Sequence, residues 1–251
     1  MKLALLSDIH ANQQALQACL DHAQDQGAQR VALLGDLVGY GGNPTQVMEQ
    51  VMGLAAEGAI VLQGNHDEMA VQPPTDKTTL GTSTADWTHA QLSPEHRSFL
   101  AGLPLTTQVQ HLMLVHASAD QPAKWRYVDS EQAAHACLLA AQSQHPETQH
   151  VLVGHVHQQT LYHRSAGRGL MAFKPTPGVA IPMPRTRPCV VTIGSVGQPR
   201  DGDPRAMYAL YDLSAERLTF HRVPYDHVAA AAAIRAAGLP EFFALRLETG
   251  R

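Results

Sequence analysis

The sequence predicts an α/β domain in which parallel strands are covered by helices. Short apolar runs end in polar residues, as buried strands do when they deliver side chains at their carboxyl ends. Stretches with apolar residues at helical spacing separate those runs. The polar ends recur at intervals of one βα unit, 28 residues from Asp8 to Asp36 and 29 from Asp36 to Asn65.

Lys2–Leu6 is the first strand and ends at Ser7-Asp8-Ile9-His10. A helix over Asn12–Gln26 follows, because Ala15, Leu16, Cys19, Leu20 and Ala23 recur at helical spacing and Gly27 stops the run. Val31–Leu34 is a second strand ending at Gly35-Asp36, and Pro44–Glu57 is a helix through Val47, Val51 and Leu54. Ala59–Leu62 is a third strand, ending at Gly64-Asn65-His66-Asp67. From 71 to 105 the pattern weakens: Pro73-Pro74, four threonines within 75–82, then two short helical stretches, the second opening at Ser93-Pro94-Glu95. This segment reads as an insertion lying over the site. A strand at Leu112–Val115 precedes His116, a helix lies near Ser130–Gln142, and the run Val151–Val153 leads into Gly154-His155-Val156-His157. The second half is richer in strands, at Gln159–His163, Cys189–Ile193, Met207–Leu213 and Arg217–Val223. Five prolines between His163 and Cys189 make 164–188 an extended loop, and an alanine-rich helix over Asp226–Ala237 opens a helical tail, 226–251. No repeat or linker divides the 251 residues, so a single domain, 1–251, is expected.

Composition narrows the function. Apolar residues make up 44% and charged residues 16%, against a usual charged share of about 25%, which excludes disorder and coiled coil. A net charge of −4 gives no positive field to hold a nucleic-acid duplex or an anionic membrane. Three widely spaced cysteines make neither a disulfide framework nor a zinc knuckle, and no stretch is long enough for a signal h-region or a membrane span. A cytoplasmic protein without membrane partners is therefore expected; the sequence sets no oligomeric state. Its 15 histidines point to a metal or acid–base site, since imidazole is the commonest metal ligand.

The candidate ligands sit where strands end: Asp8 with His10, Asp36, Asn65 with His66 and Asp67, His116, and His155 with His157. Strand ends on one sheet edge converge in space. Mixed nitrogen and oxygen donors suit Mn, Fe, Zn or Ni, whereas Ca and Mg prefer mostly oxygens and copper or iron–sulfur sites want thiolates.

Taken in order, the blocks D-x-H, G-D, G-N-H-[DE], H and G-H-x-H resemble those of the calcineurin-like metallophosphoesterases, over roughly residues 1–223, in the manner of the small bacterial-type phosphodiesterases. The resemblance implies a four-layer αββα sandwich, two mixed β-sheets flanked by helices in a single domain. It also implies two divalent transition-metal ions, Mn first, with Fe, Zn or Ni as options. One would take Asp8, His10, Asp36 and His157, the other Asp36, Asn65, His116 and His155, with Asp36 bridging. The reaction so implied is hydrolysis of a small phosphodiester or nucleotide-like phosphate by direct attack of a hydroxide shared by both ions. His66 would protonate the leaving oxygen as general acid, and Asp67 would orient its imidazole.

Substrate contacts come from the turn-rich segment 194–205, where Thr192-Ile193 stand in place of the Asn-Pro of many relatives. Arg200 and Arg205 are the phosphate-clamp candidates, because guanidinium matches phosphate oxygens bidentately; the competing expectation is that they brace Asp201 or Asp203. Tyr40 and Asn43 are candidates for the rim, while Trp87 and Trp125 read as core or lid packing. Within the same superfamily a Ser/Thr protein phosphatase or a diadenosine-tetraphosphate hydrolase is the alternative, but both usually carry G-D-x-V-D-R-G and G-N-H-E where this chain has Gly35-Asp36-Leu37-Val38-Gly39-Tyr40-Gly41 and Gly64-Asn65-His66-Asp67. The alternative of another class is a metal-free protein-interaction scaffold, as in one retromer subunit of this fold, and it should show lost ligands; here none is replaced.

Overall fold

The computed structural model describes residues 1–164 and 169–251. The first strand, β1 (Lys2–Leu6), shows how the layers arise: its alternate side chains leave on opposite faces and both faces are buried. Ala4 and Leu6 meet Ala15, Leu16 and Cys19 of helix α1 (Gln13–Asp25) and Val47, Met48 and Val51 of α2 (Pro44–Ala56). Leu3 and Leu5 instead face Leu112 and Leu114 of β5 (Leu112–Val115) and Leu152 of β6 (His150–Val153), across the gap between two sheets. On the outer side of that second sheet, Met113, Val115, Val151 and Val153 pack on Ala134, Cys137, Leu138 and Ala141 of α6 (Glu131–Gln144). Helices, sheet, sheet and helix stack as four layers. This double burial is why the strands read as unbroken apolar runs.

Sheet order is β3-β2-β1-β11-β12-β9 in one layer and β4-β5-β6-β10-β7-β8 in the other. In the first, β1, β2 (Arg30–Leu33) and β3 (Ile60–Val61) are parallel, and β11 (Ala206–Asp212) runs antiparallel to β1. In the second, β5, β6 and β10 (Cys189–Ile193) are parallel, flanked by antiparallel β4 (Thr106–Val109) and β7 (Gln159–Arg164). The parallel strands of both sheets carry the candidate site residues at their carboxyl ends.

Some elements match expectation and others, β4 among them, do not. The third ligand block opens a helix, α3 (Asn65–Val71), which sequence pattern hides because its seven residues are too few to show a period. The two helices of 71–105 are α4 (Ala85–Gln91) and α5 (Pro94–Ala101), the latter capped by Ser93 as its Ser-Pro-Glu start requires. The loop 164–188 is corrected: it holds β8 (Leu170–Phe173) and β9 (Ala180–Pro182), and 165–168 lie outside the described residues. Both strands are sheet edges, β8 beside β7 and β9 beside β12 (Arg217–Val223), where a proline such as Pro182 is tolerated. The tail forms two helices, α7 (His227–Ala236, capped by Asp226) and α8 (Glu241–Thr249), packed together. No helix among the described residues is long and apolar enough to cross a membrane.

Candidate metal centre

Main-chain bonds draw the first two blocks together: Asp8 N–H donates to Gly35 O at 3.0 Å and His10 N–H to Asp36 O at 2.9 Å. Asp8, His10, Asp36, His155 and His157 all adopt the left-handed backbone region, with φ between 50° and 63°. In that region the chain turns sharply off a strand end and aims consecutive side chains at one point, at a cost most residue types avoid. Gly154 makes a close approach possible, since a Cβ there would stand 2.7 Å from Asp8 Oδ2.

Three overlapping groups of ligand atoms result, each with its atoms within 4.8 Å of one another: Asp8, His10 and His157; His10, Asp36 and His66; Asp36, His116 and His155. Imidazole orientation is the decisive detail. His10 Nδ1 lies 3.3 Å from Val38 O, His116 Nδ1 2.7 Å from Leu34 O, and His157 Nδ1 2.6 Å from Gln198 O. A carbonyl only accepts, so each Nδ1 carries a proton and each ring, when neutral, presents the Nε2 lone pair inward. Those lone pairs crowd: His10 Nε2 is 3.1 Å from His157 Nε2, and His116 Nε2 is 3.2 Å from both Asn65 Oδ1 and His155 Nδ1. Asp8 Oδ1, 3.1 Å from His157 Nε2, and His155 Nε2 are buried with no hydrogen-bond partner. Acceptors packed on acceptors around orphaned atoms fit a divalent cation and fit little else.

The electrostatics agree. Burial pushes the Asp36 carboxyl up, but His116, His66 and His10 pull it down further, leaving it well below the carboxylate range. Burial also lowers His10, and it brings His66 and His155 to about 4, so these rings are neutral near pH 7 and those of His10 and His155 are free to donate lone pairs. His116 goes the other way: burial lowers it, yet Asp36, 3.4 Å from its Nε2, raises it to about 9. A cation there would displace that proton.

The structure brings all seven candidate ligands and His66 to one place. His66 N–H donates to Asp36 Oδ1 at 2.8 Å, and its ring fills the space left by Gly39, where a Cβ would meet Nδ1 at 2.6 Å. Asp67 departs from expectation. Its Oδ1 accepts from Leu37 and Val38 N–H and its Oδ2 from Gly64 N–H, so it pins the Asp36 turn to the start of α3 instead of orienting the His66 imidazole. The lesson is geometric: Asp67 follows His66 directly at a helix N-terminus, where a carboxylate finds main-chain donors first.

Beside the ligands lies a cavity of about 230 Å³, lined by Asp36, Asn65, His66, His155 and His157 and walled by Tyr40, Tyr127 and Arg200. Thr79, Gly81 and Thr82 of the insertion also line it. Asn43 is absent from that wall and stands at the start of α2. Arg205 is corrected: its guanidinium pairs with Asp203 at 2.6 Å on the surface, as the bracing alternative requires. Asp201 is held by Arg222, not by Arg200. Trp125 is half-buried against the His116 ring, its Nε1 donating to Glu68 at 2.9 Å, and Trp87 is half-buried on α4. Tyr127 escaped sequence reasoning. It stacks on His155 with ring centroids 4.0 Å apart, but it sits in an aperiodic loop that offers no signal.

Comparison with known proteins agrees with this geometry. The profile of the calcineurin-like phosphoesterase superfamily domain matches residues 1–216. The structure is similar to a metallophosphoesterase from Sphaerobacter thermophilus, with a TM-score of 0.85, 33% identity and full coverage of both chains. It shares the fold of hypothetical protein PH1004 from Pyrococcus horikoshii OT3, at a TM-score of 0.76 and 21% identity, over 100% of this chain and 98% of that one. In sequence it is 28% identical to uncharacterized protein MJ0912 of Methanocaldococcus jannaschii, over 99% of this chain and 98% of its relative. With its own ligand geometry in place at the strand ends, the chain belongs to the calcineurin-like phosphoesterase superfamily.

Proposed function

We propose that the protein is a metal-dependent phosphoesterase that hydrolyses a small phosphodiester or nucleotide-like phosphate. The observation that carries this reading is the convergence of Nε2 lone pairs from His10, His116 and His157 onto the Asp8 and Asp36 carboxylates, each ring fixed through Nδ1 by a main-chain carbonyl. Asp8, His10, Asp36 and His157 would hold one cation and Asp36, Asn65, His116 and His155 a second, Mn being first among the metals that suit these donors. Two such cations supply an activated water and neutralise charge on the phosphoryl group. The residues of the chain do the rest. Asp36, shared by both sets, keeps them in register. His66 faces the cavity from the start of α3 and gives a proton to the leaving oxygen; the charge of a phosphate bound beside it favours its protonated form. Arg200 reaches in from the loop after β10 to hold non-bridging oxygens, and Tyr40 and Tyr127 wall the substrate. A cavity of about 230 Å³, narrowed by Thr79, Gly81 and Thr82, supports a small substrate over a phosphopeptide.

Elemental analysis of protein reconstituted with Mn tests the reading: two ions per chain are expected, and Asp36→Asn should lose one or both. A wild-type protein that binds one ion or none would end the two-cation assignment. A panel of Mn-dependent turnovers in which a phosphoserine peptide shows the highest kcat/KM would replace the small-substrate assignment with a protein phosphatase.

A further inference from the structure

Arg126, Arg185, Arg205, Arg222 and Arg235 each face a carboxylate within ion-pair distance. Arg200 and Arg246 face no side-chain carboxylate among the described residues; instead they converge on one neutral atom. Gln198 Oε1 accepts from Arg200 Nε at 3.2 Å, from Arg200 Nη2 at 2.7 Å and from Arg246 Nη1 at 3.1 Å. The remaining contact of Arg246 is Nε to the oxygen of Arg251 at 3.2 Å. Of the five N–H groups on each guanidinium, three are left without a partner in these bonds.

The two side chains come from distant segments, the loop after β10 and helix α8, and both are held by aromatic faces. Arg246 lies over the Phe242 ring at 4.4 Å and Arg200 over the Tyr40 ring at 5.9 Å. Tyr40 is in turn packed on Phe243 of α8, with centroids 4.9 Å apart. A ring face beside each guanidinium restrains it while N–H groups stay available, and arginine can take an oxyanion bidentately through such groups. Burial, and then the neighbouring Arg200 charge, pull Arg246 below its usual range, so the pair repels and an anion between them relieves the repulsion.

We propose that Arg200 and Arg246 form an anion subsite beside the metal cleft that takes a second phosphoryl group of the substrate, with Arg200 standing between that group and the scissile one. The preferred substrate is then a small phosphoester carrying another phosphate beyond the scissile one. This rests on the phosphoesterase reading above and narrows it. Gln198 ties the subsite to the centre, because its main-chain oxygen holds His157 while its side chain spaces the two arginines.

A pair of esters with the same scissile bond and leaving group tests it: thymidine 5′-(p-nitrophenyl phosphate) with and without a 3′-phosphate. Wild-type kcat/KM should favour the 3′-phosphorylated ester by about tenfold or more, in line with one added charge-assisted contact. Arg246→Gln should bring the ratio near one and Arg246→Lys should keep part of it; Arg200→Gln, on a different element, is the second variant should loss of Arg246 unseat α8. A wild-type ratio near one, or a ratio unmoved by Arg246→Gln and Arg200→Gln, overturns the subsite. Calorimetric binding of thymidine 3′,5′-bisphosphate against thymidine 5′-monophosphate separates this from the parent reading. Tighter bisphosphate binding lost in the variants, without turnover of either ester under any metal, supports the subsite and removes the phosphoesterase assignment. Equal binding of both nucleotides overturns the subsite whatever the turnover.

Discussion

Two sets of histidines lie inside this molecule, and they have opposite surroundings. At the sheet edge, His10, His116 and His157 each lose Nδ1 to a carbonyl and turn Nε2 toward a carboxylate. Between the sheets, His111 and His150 share the hydroxyl of Tyr211, at 3.3 Å and 2.8 Å. Beneath α1, His22 bonds the Tyr208 hydroxyl at 2.7 Å while His221 stacks on its ring. Among the described residues no carboxylate stands within ion-pair distance of these four. His111 and His150 are as buried as His10, His116 and His157, so burial does not mark a ligand. Acid partners and converging lone pairs do.

The largest expected effect comes from removing His66, which lies beside the first set and holds no cation in the proposed scheme. His66→Ala should lower turnover of an alkyl or nucleoside ester by about 10²–10⁴, the usual worth of a general acid, and lower that of a nitrophenyl ester far less, because nitrophenolate leaves without a proton. Equal losses on both esters would move His66 into the ligand or structural set.

The second set predicts a pH effect without a metal effect. Burial and the neighbouring His111 bring His150 to about 4, below the ordinary 6.5. Between those values the unfolded chain binds the proton and the folded one does not, so stability is present above pH 6.5 and is lost as pH falls toward 4. Chemical denaturation of wild type and His150→Gln should diverge by about 2 kcal/mol between pH 6.5 and 4.5, with the variant the flatter. Metal content should stay the same. Parallel curves would show that His150 titrates normally and that the contrast between the sets is smaller than the structure suggests.

The smallest effect extends the contrast to arginines of one loop. Arg205→Ala should leave kcat/KM within about twofold and cost at most about 1 kcal/mol, since its pair with Asp203 is exposed. A hundredfold loss of kcat/KM would bring Arg205 back to the phosphate.

Strand ends were the most legible part of the site, because a buried parallel strand announces itself as an apolar run and the βα spacing puts Asp8, Asp36 and Asn65 on one edge. The helices α1, α2 and α6 were legible for the same reason, a full period of apolar contacts. What stayed hidden was made by tertiary contact alone. Pattern could not show that Asp67 would find main-chain donors before an imidazole, nor which of Arg200 and Arg205 would have an aspartate within reach. The edge strands β8 and β9 were masked by prolines that an edge tolerates. Helix α8, which brings Arg246 to Gln198, is only nine residues long and gives no clear helical period.

The backbone at the ligand residues bears on how such a centre can be lost. Asp8, His10, Asp36, His155 and His157 hold left-handed conformations that aspartate, asparagine and histidine enter several-fold more readily than most side chains. The residue types that bind the cations are thus also the types the turns accept. A β-branched replacement forfeits the ligand and strains the turn together, a double penalty that removes folded protein along with activity. Glycine forfeits only the ligand, and asparagine only the carboxylate charge or the imidazole nitrogen. Descendants of this chain that abandoned catalysis while keeping the sandwich would therefore be expected to carry Asn or Gly at these positions, and Val or Ile almost never.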